Sequence, residues 1–462
     1  GVPGGAPAGY TYGGLGQSIL SYGEDDNSNN FNQRFSVAYV TGTHSFKAGL
    51  QTQQGNYDFF GMQGGVEQVN YQFRGGVPVS LTQVAGPFQS MTRLSAQGLY
   101  AQDQYTVGRL TVNAGVRYDH FRGRTLAQNI PAGRFRPAYS VDEVSSLPNF
   151  SDWQLRLGAA YDVFGNGKTA IKGSWGKYLL GQGGKLSFQG FAPSVAIATS
   201  SGRPWTDANN NFVPDCNLSN LAANGECGNI VNPLFGQPFS VQSLTDDART
   251  GWGNREYSNQ WNIQLQQELW PGLGLAIGFF HTEWKNLSVV RNSRVTPADF
   301  SEYCITAPTD TRLGATSGQR VCGFYDLTPA GQAKGVAYQL TQANNFGDPQ
   351  DFYNGVDIGF TARWGRGALA SGGVSVGRQV IDFCFANGRP DLTPQIFPFN
   401  AFSVNRYPRH DDFCRVEPSW WNGVGSQIKL QLVYPLAYGF AVSGAYKHLP
   451  GIPVPANLVL TT

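Results

Sequence analysis

Residues 153–175 read WQLRLGAAYDVFGNGKTAIKGSW, and their alternation decides the fold class. From Trp153 the odd positions carry Trp153, Leu155, Leu157, Ala159, Tyr161 and Val163, and the even ones Gln154, Arg156, Gly158, Ala160 and Asp162. Successive side chains of a strand point to opposite faces, so one face of this segment is apolar and the other polar. Gly165-Asn166-Gly167 then offers residues that tolerate positive φ, and Ile171 and Trp175 share a face of the return strand. The pattern is a β-hairpin with one apolar face.

Five more short turns join alternating segments, at Thr41–His44, Thr106–Arg109, Pro271–Gly274, Trp364–Gly367 and Pro435–Tyr438. Leu110, Val112, Ala114, Val116 and Tyr118 oppose Thr111, Asn113, Gly115, Arg117 and Asp119, while Val356, Ile358, Phe360 and Ala362 oppose Asp357, Gly359, Thr361 and Arg363. Six tight turns imply twelve strands. The connections at the other end are long, chiefly 61–90, 124–151, 181–255, 293–351 and 385–423. Roughly ten-residue dyad segments, short turns at one end and long loops at the other are what a transmembrane β-barrel requires. Backbone groups in lipid must all be paired, so such a sheet closes and its outward face is apolar. Leu155, Leu157 and Tyr161 are then expected to meet lipid, and Gln154, Arg156 and Asp162 a lumen. Tyr161 and Phe164 near the turn, with Trp153 and Trp175 farther along, are candidates for two aromatic girdles. A soluble propeller would repeat at a steady roughly 40–50 residues, whereas these turns are spaced by 58 to 107. A secreted sandwich or jelly roll would not need every short turn at one end.

Composition narrows the function classes. Charged residues are 14 % of the 462, below the roughly 25 % of ordinary soluble proteins, and aromatics reach 13 %. Lys plus Arg (33) nearly balances Asp plus Glu (31), so the net +2 gives no reason to invoke nucleic acid. No apolar run approaches the roughly 18–20 residues of a spanning helix. The opening GVPGGAPAGY has neither initiator Met nor the regions of a secretory signal, which reads as a fragment or processed chain.

The runs LYAQDQYTVGRLTVNAGVRYDHF (99–121), LRLGAAYDVFGNGKTAIKGSWGKYL (155–179), NQWNIQLQQELWPGLGLAIGFFHTEWKNL (259–287) and VSGAYKHLPGIPVPANLVL (442–460) resemble the barrel region of TonB-dependent outer-membrane receptors. The branch they look most like is the Oar-like one, whose members carry a carboxypeptidase-regulatory-like domain. The resemblance covers about residues 30–460 and implies a 22-stranded barrel filled by a plug. It also implies uptake of a scarce ligand, whether siderophore, glycan or peptide, with energy delivered by the TonB complex across the periplasm. No plug, TonB box or closing strand is legible here. The expectation is therefore residues 1–30 as a lead-in and 31–462 as a partial barrel of about 12 of 22 strands, held in outer-membrane lipid. An ungated porin or structural barrel is the alternative. Twelve strands cannot close with the shear of a larger barrel, so an open curved sheet with two edges is expected.

The long loops carry the remaining chemistry. Cys216, Cys227, Cys304, Cys322, Cys384 and Cys414 all fall there, and sequence neighbours pair naturally as 216 with 227, 304 with 322 and 384 with 414, although six cysteines allow 15 connectivities. No CxxC or HxxxH spacing supports zinc. In DANNNFVPDC, Asp207, Asn209, Asn211, the Val213 carbonyl and Asp215 stand at positions 1, 3, 5, 7 and 9 of a calcium-loop register. Phe212 replaces the glycine of position 6 and Leu218 the glutamate of position 12, a ligand that Glu226 would supply across a 216–227 bridge. A metal-free Asx-rich turn is the competing reading. The run Arg409–Asp412 holds a His-Asp pair with no nucleophile elbow or HExxH beside it. Gly165–Thr169 lacks P-loop spacing and precedes a strand. No residue is read as catalytic. Arg117, Asp119, Arg156, Asp162, Lys172, Asp357 and Arg363 are expected to face the lumen.

Overall fold

The strands form where the dyads stand. The structure, a computed structural model, describes residues 11–12, 22–62, 68–74, 76–181, 197–237, 242–335, 337–365, 367–394, 409–411, 414–421 and 426–450. Twelve long strands are β1 (Tyr22–Thr41), β2 (His44–Met62), β3 (Phe88–Val107), β4 (Leu110–Thr125), β5 (Val144–Asp162), β6 (Thr169–Leu179), β7 (Tyr257–Trp270), β8 (Leu273–Lys285), β9 (Gln350–Trp364), β10 (Ala368–Asp382), β11 (Gln427–Pro435) and β12 (Ala441–His448). They lie side by side in sequence order, and each pairs antiparallel with the next. All six short turns close a hairpin of this sheet. The segments 91–123 and 256–290 are strands and not helices, and no helix among the described residues is long and apolar enough to cross a membrane.

The turn between β5 and β6 owes its shape to two local devices. Gly165 and Gly167 take φ of 71° and 72°, in the left-handed region that glycine reaches at little cost. The Asp162 carboxylate accepts hydrogen bonds from the backbone N–H of both, at 2.9 and 2.8 Å. Asp162, expected to face the lumen, is thus a turn residue.

Register aligns the apolar faces of neighbouring strands. Tyr161 lies opposite Leu110 and Ile171, Ile171 opposite Leu265, Leu265 opposite Ile277, Ile277 opposite Ile358, and Ile358 opposite Val374. A one-residue slip anywhere would turn a strand's apolar set inward, so this row fixes the pairing of seven strands. Leu157, on the same outward face, is 49 % exposed, and Gln154 on the opposite face is 4 % exposed and hydrogen-bonds Asp119. Trp153 and Trp175 share the outward face but not a rung. Trp153 pairs with Tyr118, and Trp175 with Leu157 and Trp261.

Two expectations are corrected. First, β1, β2, β3 and β5 are 19–20 residues long, twice the roughly 9–11 that a tilted strand needs to cross a bilayer. Their lower ends are fixed by tight turns, so the excess projects from the long-loop end. In that excess the polarity of the faces reverses. Below the level of Tyr118 and Trp153 the outward face is apolar except for Asp103, whose carboxylate pairs with His44 at 2.7 Å. Above it the inward Leu94, Ala96, Phe121 and Phe150 pack beneath Leu244 and Leu340 of the loops, and the outward face carries Gln33, Gln97, His120 and Arg122. Second, the boundary at residue 30 falls inside β1.

β1 and β12 end the strand order and do not pair with each other. Short off-path strands thicken the loop end: Thr250–Trp252 runs parallel to β5, and Arg415–Val416 antiparallel to β10.

The outward row gives a direct test. Leu157→Arg should destabilise the bilayer-inserted protein by roughly 2–4 kcal/mol, and Asn113→Arg on the inward face by less than about 1 kcal/mol. Asn113 is the cleaner comparison because Gln154 is packed against Asp119. Equal losses in denaturant titrations of the two reconstituted variants would contradict the assignment of faces.

Candidate binding surface at the long-loop end

Loops this long are disordered unless something offsets their entropy, and here three kinds of brace do so. The first is covalent. Disulfides join Cys216 with Cys227, Cys304 with Cys322, and Cys384 with Cys414, closing segments of 11, 18 and 30 residues. In the chain-entropy model each removes about 3 kcal/mol of unfolded-state freedom. Cys304 and Cys322 are not in irregular chain as expected. They lie on the paired strands Phe300–Thr306 and Arg320–Leu327.

The second brace is arginine bonded to backbone carbonyls. Arg203 is buried at 1 % exposure, and its guanidinium donates to Gly228 O at 2.6 Å, Ala222 O at 2.5 Å and Gln83 Oε1 at 3.4 Å. Arg136 donates to Ala85 O at 3.2 Å and to Pro87 O, and sits over the Tyr139 ring. Arg409 donates to Ala386 O and Leu392 O, while its backbone N–H bonds Gly323 O. Burial pulls the Arg409 guanidinium down to about 10. A planar five-donor fork satisfies several carbonyls of an irregular chain at once, which no other side chain does. Composition and spacing gave no hint of Arg203 or Arg136, and drew notice to Arg409 only as a neighbour of a His-Asp pair. In the run Arg409–Asp412, Arg409 is such a brace and Asp411 accepts from Asn387 Nδ2 at 2.7 Å. Asp412 lies outside the described residues.

The third brace is apolar. The strands Val69–Arg74, Val77–Val84 and Ser200–Pro204 form a small sheet over Val69, Leu81, Trp205, Leu218 and Cys227. A second sheet, of Gln242–Leu244, Tyr338–Gln342, Ser288–Asn292 and Leu392–Pro394, covers Val289, Ala343 and Leu392.

On the first platform stands the turn 207–215, whose predicted residues do come together. The Asp207 carboxylate accepts from Asn211 N at 3.1 Å and Phe212 N at 2.9 Å, and Asp215 Oδ2 accepts from Asn209 Nδ2 at 2.6 Å and Asn211 Nδ2 at 3.0 Å. Asn211 Oδ1 accepts from Val213 N at 2.7 Å. Phe212, where a calcium loop has glycine, takes φ of 59°. Glu226 folds back as expected, but onto N–H donors: the backbone amides of Ala208 at 2.8 Å and Asp215 at 3.1 Å and the indole Nε1 of Trp205 at 3.5 Å donate to it. These bonds, that from Asp215 first, hold its carboxyl below the usual range. Among the described residues no three His, Cys, Asp or Glu side chains converge as a metal set.

Beneath the platform the inward face of the strands is polar. Arg117 clasps Asp119 through two hydrogen bonds of 2.7 Å, and Arg156 lies over the Tyr178 ring at 4.7 Å. A concavity of about 540 Å³ is lined by Arg117, Arg156 and Tyr178 together with Arg34, Lys47, Gln102, Asn113 and the carboxylate Asp103. Its cations outnumber its carboxylates, so it is suited to an anionic or hydrogen-bonding occupant.

This geometry agrees with a comparison against known families. The model of the outer membrane beta barrel domain matches residues 1–372. The chain belongs to the outer membrane beta barrel domain family. Its place is accordingly the bacterial outer membrane, and the outward rows of this barrel meet lipid. No curated protein matches the chain. Among solved structures it is similar to the ferric yersiniabactin uptake receptor FyuA from Yersinia pestis (11 % identity, TM-score 0.40, covering 92 % of this chain and 42 % of that one). It is also similar to the siderophore receptor PiuA from Acinetobacter baumannii (10 %, 0.40, 92 % and 49 %) and to the FrpB iron transporter from Neisseria meningitidis (12 %, 0.34, 90 % and 46 %). The chain spans less than half the length of each.

The Glu226 bonds predict a pH response. A carboxylate with a depressed pKa contributes stability that is complete above its ordinary value of 4.5 and is lost as the pH falls through the depressed one. Limited proteolysis at 205–228 should therefore be slow at neutral pH and accelerate on acidification below that value. Glu226→Gln should be cut quickly at neutral pH with a flatter pH profile, and a variant as protected as the native chain would show that the braces lie elsewhere.

Proposed function

We propose that the chain is barrel wall and ligand-gathering loops of a TonB-dependent outer-membrane transporter of the Oar-like branch, which takes up a scarce siderophore, glycan or peptide. The observation that carries this reading is the contrast between the two ends. Six minimal turns face one side, and on the other stand loops braced by three disulfides, three carbonyl-binding arginines and two small sheets. A passive pore has little use for so rigid a rim, because preorganised surfaces serve affinity. The resemblance of residues 99–121, 155–179, 259–287 and 442–460 to such receptors supports the same reading.

In this proposal a plug domain fills the barrel against the polar inward face, and Arg34, Lys47 and Arg156 contact it or the ligand. The TonB complex supplies energy through that plug. The protein performs no chemistry of its own. Calcium belongs to the proposal as a stiffener of the 207–215 turn: Asp207, Asn209, Asn211, the Val213 carbonyl and Asp215 offer the hard oxygens it takes, with Glu226 beside them. Addition of calcium should then protect 205–227 from proteolysis, and calcium-independent cleavage would remove the ion from the reading.

The gene expressed with its native flanking sequence separates this function from that of an ungated porin. Cells should accumulate the scarce ligand only with a functional TonB system, and the purified protein should conduct little current in planar bilayers. Steady open-channel conductance together with TonB-independent uptake would establish the porin instead.

A further inference from the structure

Above its aromatic rung the outward face of β4 turns basic. The Tyr118 ring lies 5.2 Å from that of Trp153 and 5.7 Å from that of Trp252. The next outward residues of β4 are His120, Arg122 and Arg124. On β3 they pair with Gln97, Ser95 and Arg93, and on β5 Ser151 and Asn149 stand beside His120 and Arg122. With Gln54 and Asn56 of β2, the β3 and β4 residues line a concavity of about 830 Å³. Two of its cations are answered. Arg93 binds Asp58 at 2.5 Å, and Arg124 reaches Glu143 at 3.3 Å in a pair exposed by nearly half on both sides. Arg122 is exposed and has no carboxylate partner among the described residues.

Depth decides what this concavity faces. Arg122 is twelve residues beyond Leu110, the first residue after a tight turn. At about 3.3 Å per residue and a tilt near 45°, that is roughly 28 Å above the turn, just past an apolar band about 25 Å tall. On the inward face at the same level Phe121 and Phe150 pack with Leu244 and Leu340, so the polar residues of the concavity belong to the outward side. The concavity opens sideways, at headgroup level, above the apolar rows of Leu99, Val116 and Leu155.

We propose that it holds the phosphorylated headgroup of an outer-leaflet glycolipid. Arg122 is the central phosphate ligand, its fork matching two phosphate oxygens, with Arg124 and the side chains of His120, Ser95 and Asn56 around it. The acyl chains run down over Tyr118, Trp153 and the apolar rows below, which is why a lipid fits and a free anion does not. The inference stands apart from transport, because it concerns the opposite face of the sheet.

Native mass spectrometry of the protein extracted in mild detergent tests it, with purified rough lipopolysaccharide as the probe. Arg122→Gln with Arg124→Gln should weaken retention roughly five-fold per arginine and about thirty-fold together, equivalent to about 1 kcal/mol per basic residue at an anionic leaflet. Heat-modifiable gel mobility reports whether each variant is folded. Ser95→Asp keeps both arginines, sets a carboxylate opposite Arg122, and should produce a comparable loss. Dephosphorylated lipopolysaccharide should bind the native protein no better than the intact lipid binds the double variant, and millimolar inorganic phosphate should not displace the intact lipid. Equal retention by native and variant proteins would overturn the proposal, and competition by inorganic phosphate as strong as that by the lipid would make the site a free-anion site.

Discussion

Lipid offers no hydrogen bonds, and this one constraint organises the barrel. Every N–H and C=O of a crossing strand must find its partner on a neighbour, at several kcal/mol for each failure. Register is therefore not adjustable. Once Tyr161 pairs with Leu110 and Ile171, the positions of Leu157, Leu265, Ile277 and Ile358 follow rung by rung, and their apolar side chains fall into one continuous surface. The hairpin turns serve the same end, since a turn that slips by one residue inverts two strands. This accounts for the Asp162 carboxylate closing on Gly165 and Gly167. The constraint also applies to β1 and β12, whose outer rungs need partners if these strands are to lie in lipid.

The constraint ends at the membrane surface, and the structure changes character there. Outside lipid, backbone groups can be satisfied by water, so regular pairing is no longer compulsory. Order then has to be supplied by other means, because loops of this length carry a large conformational entropy. The chain uses covalent closure where segments are short, as between Cys216 and Cys227. It uses buried guanidinium groups where several carbonyls of irregular chain converge, as around Arg203. A buried arginine without a carboxylate partner is costly unless its donors are filled, and Arg203 fills them with Gly228, Ala222 and Gln83. Removing any of these carbonyls' partners would strand either a charge or a peptide group, so the brace and the loop conformation depend on each other.

What could be read from residues alone follows this division. The six turns and the dyads beside them were legible because a bilayer imposes period two on both sequence and structure. Cysteine neighbours were legible because the closed segments are short. The long strands were not: β3 continues from Leu99 through Gln97, Ser95 and Arg93, and a sign change in its alternation looks like the end of a strand when it is only the end of the lipid. Leu94 and Phe121, apolar at polar-phase positions, look like loop residues until Leu244 and Leu340 are seen above them. Those contacts span more than a hundred residues of sequence and leave no local pattern. The turn 207–215 lay between these cases. Its spacing brought Asp207, Asn209, Asn211 and Asp215 into one hydrogen-bonded turn, while the partners of Glu226 depended on the fold of the platform beneath it.

The sign change also explains why the outward face could carry two chemistries on one strand without a break in pairing. Along β4 the outward residues run Leu110, Val112, Ala114, Val116, Tyr118, His120, Arg122 and Arg124, an apolar series, one aromatic, then a basic series. Backbone pairing is indifferent to side chains, so the sheet continues while the solvent changes beside it. Tyr118 stands at the crossover because its ring is apolar and its hydroxyl is not. A strand that ended at the membrane surface would leave the loops attached to flexible chain. One that continues hands them a stiff wall, and the inward Phe121 and Phe150 give that wall an apolar surface on which the loops can pack. The rigidity of the loop platform is thus inherited from the barrel through strands longer than the membrane requires.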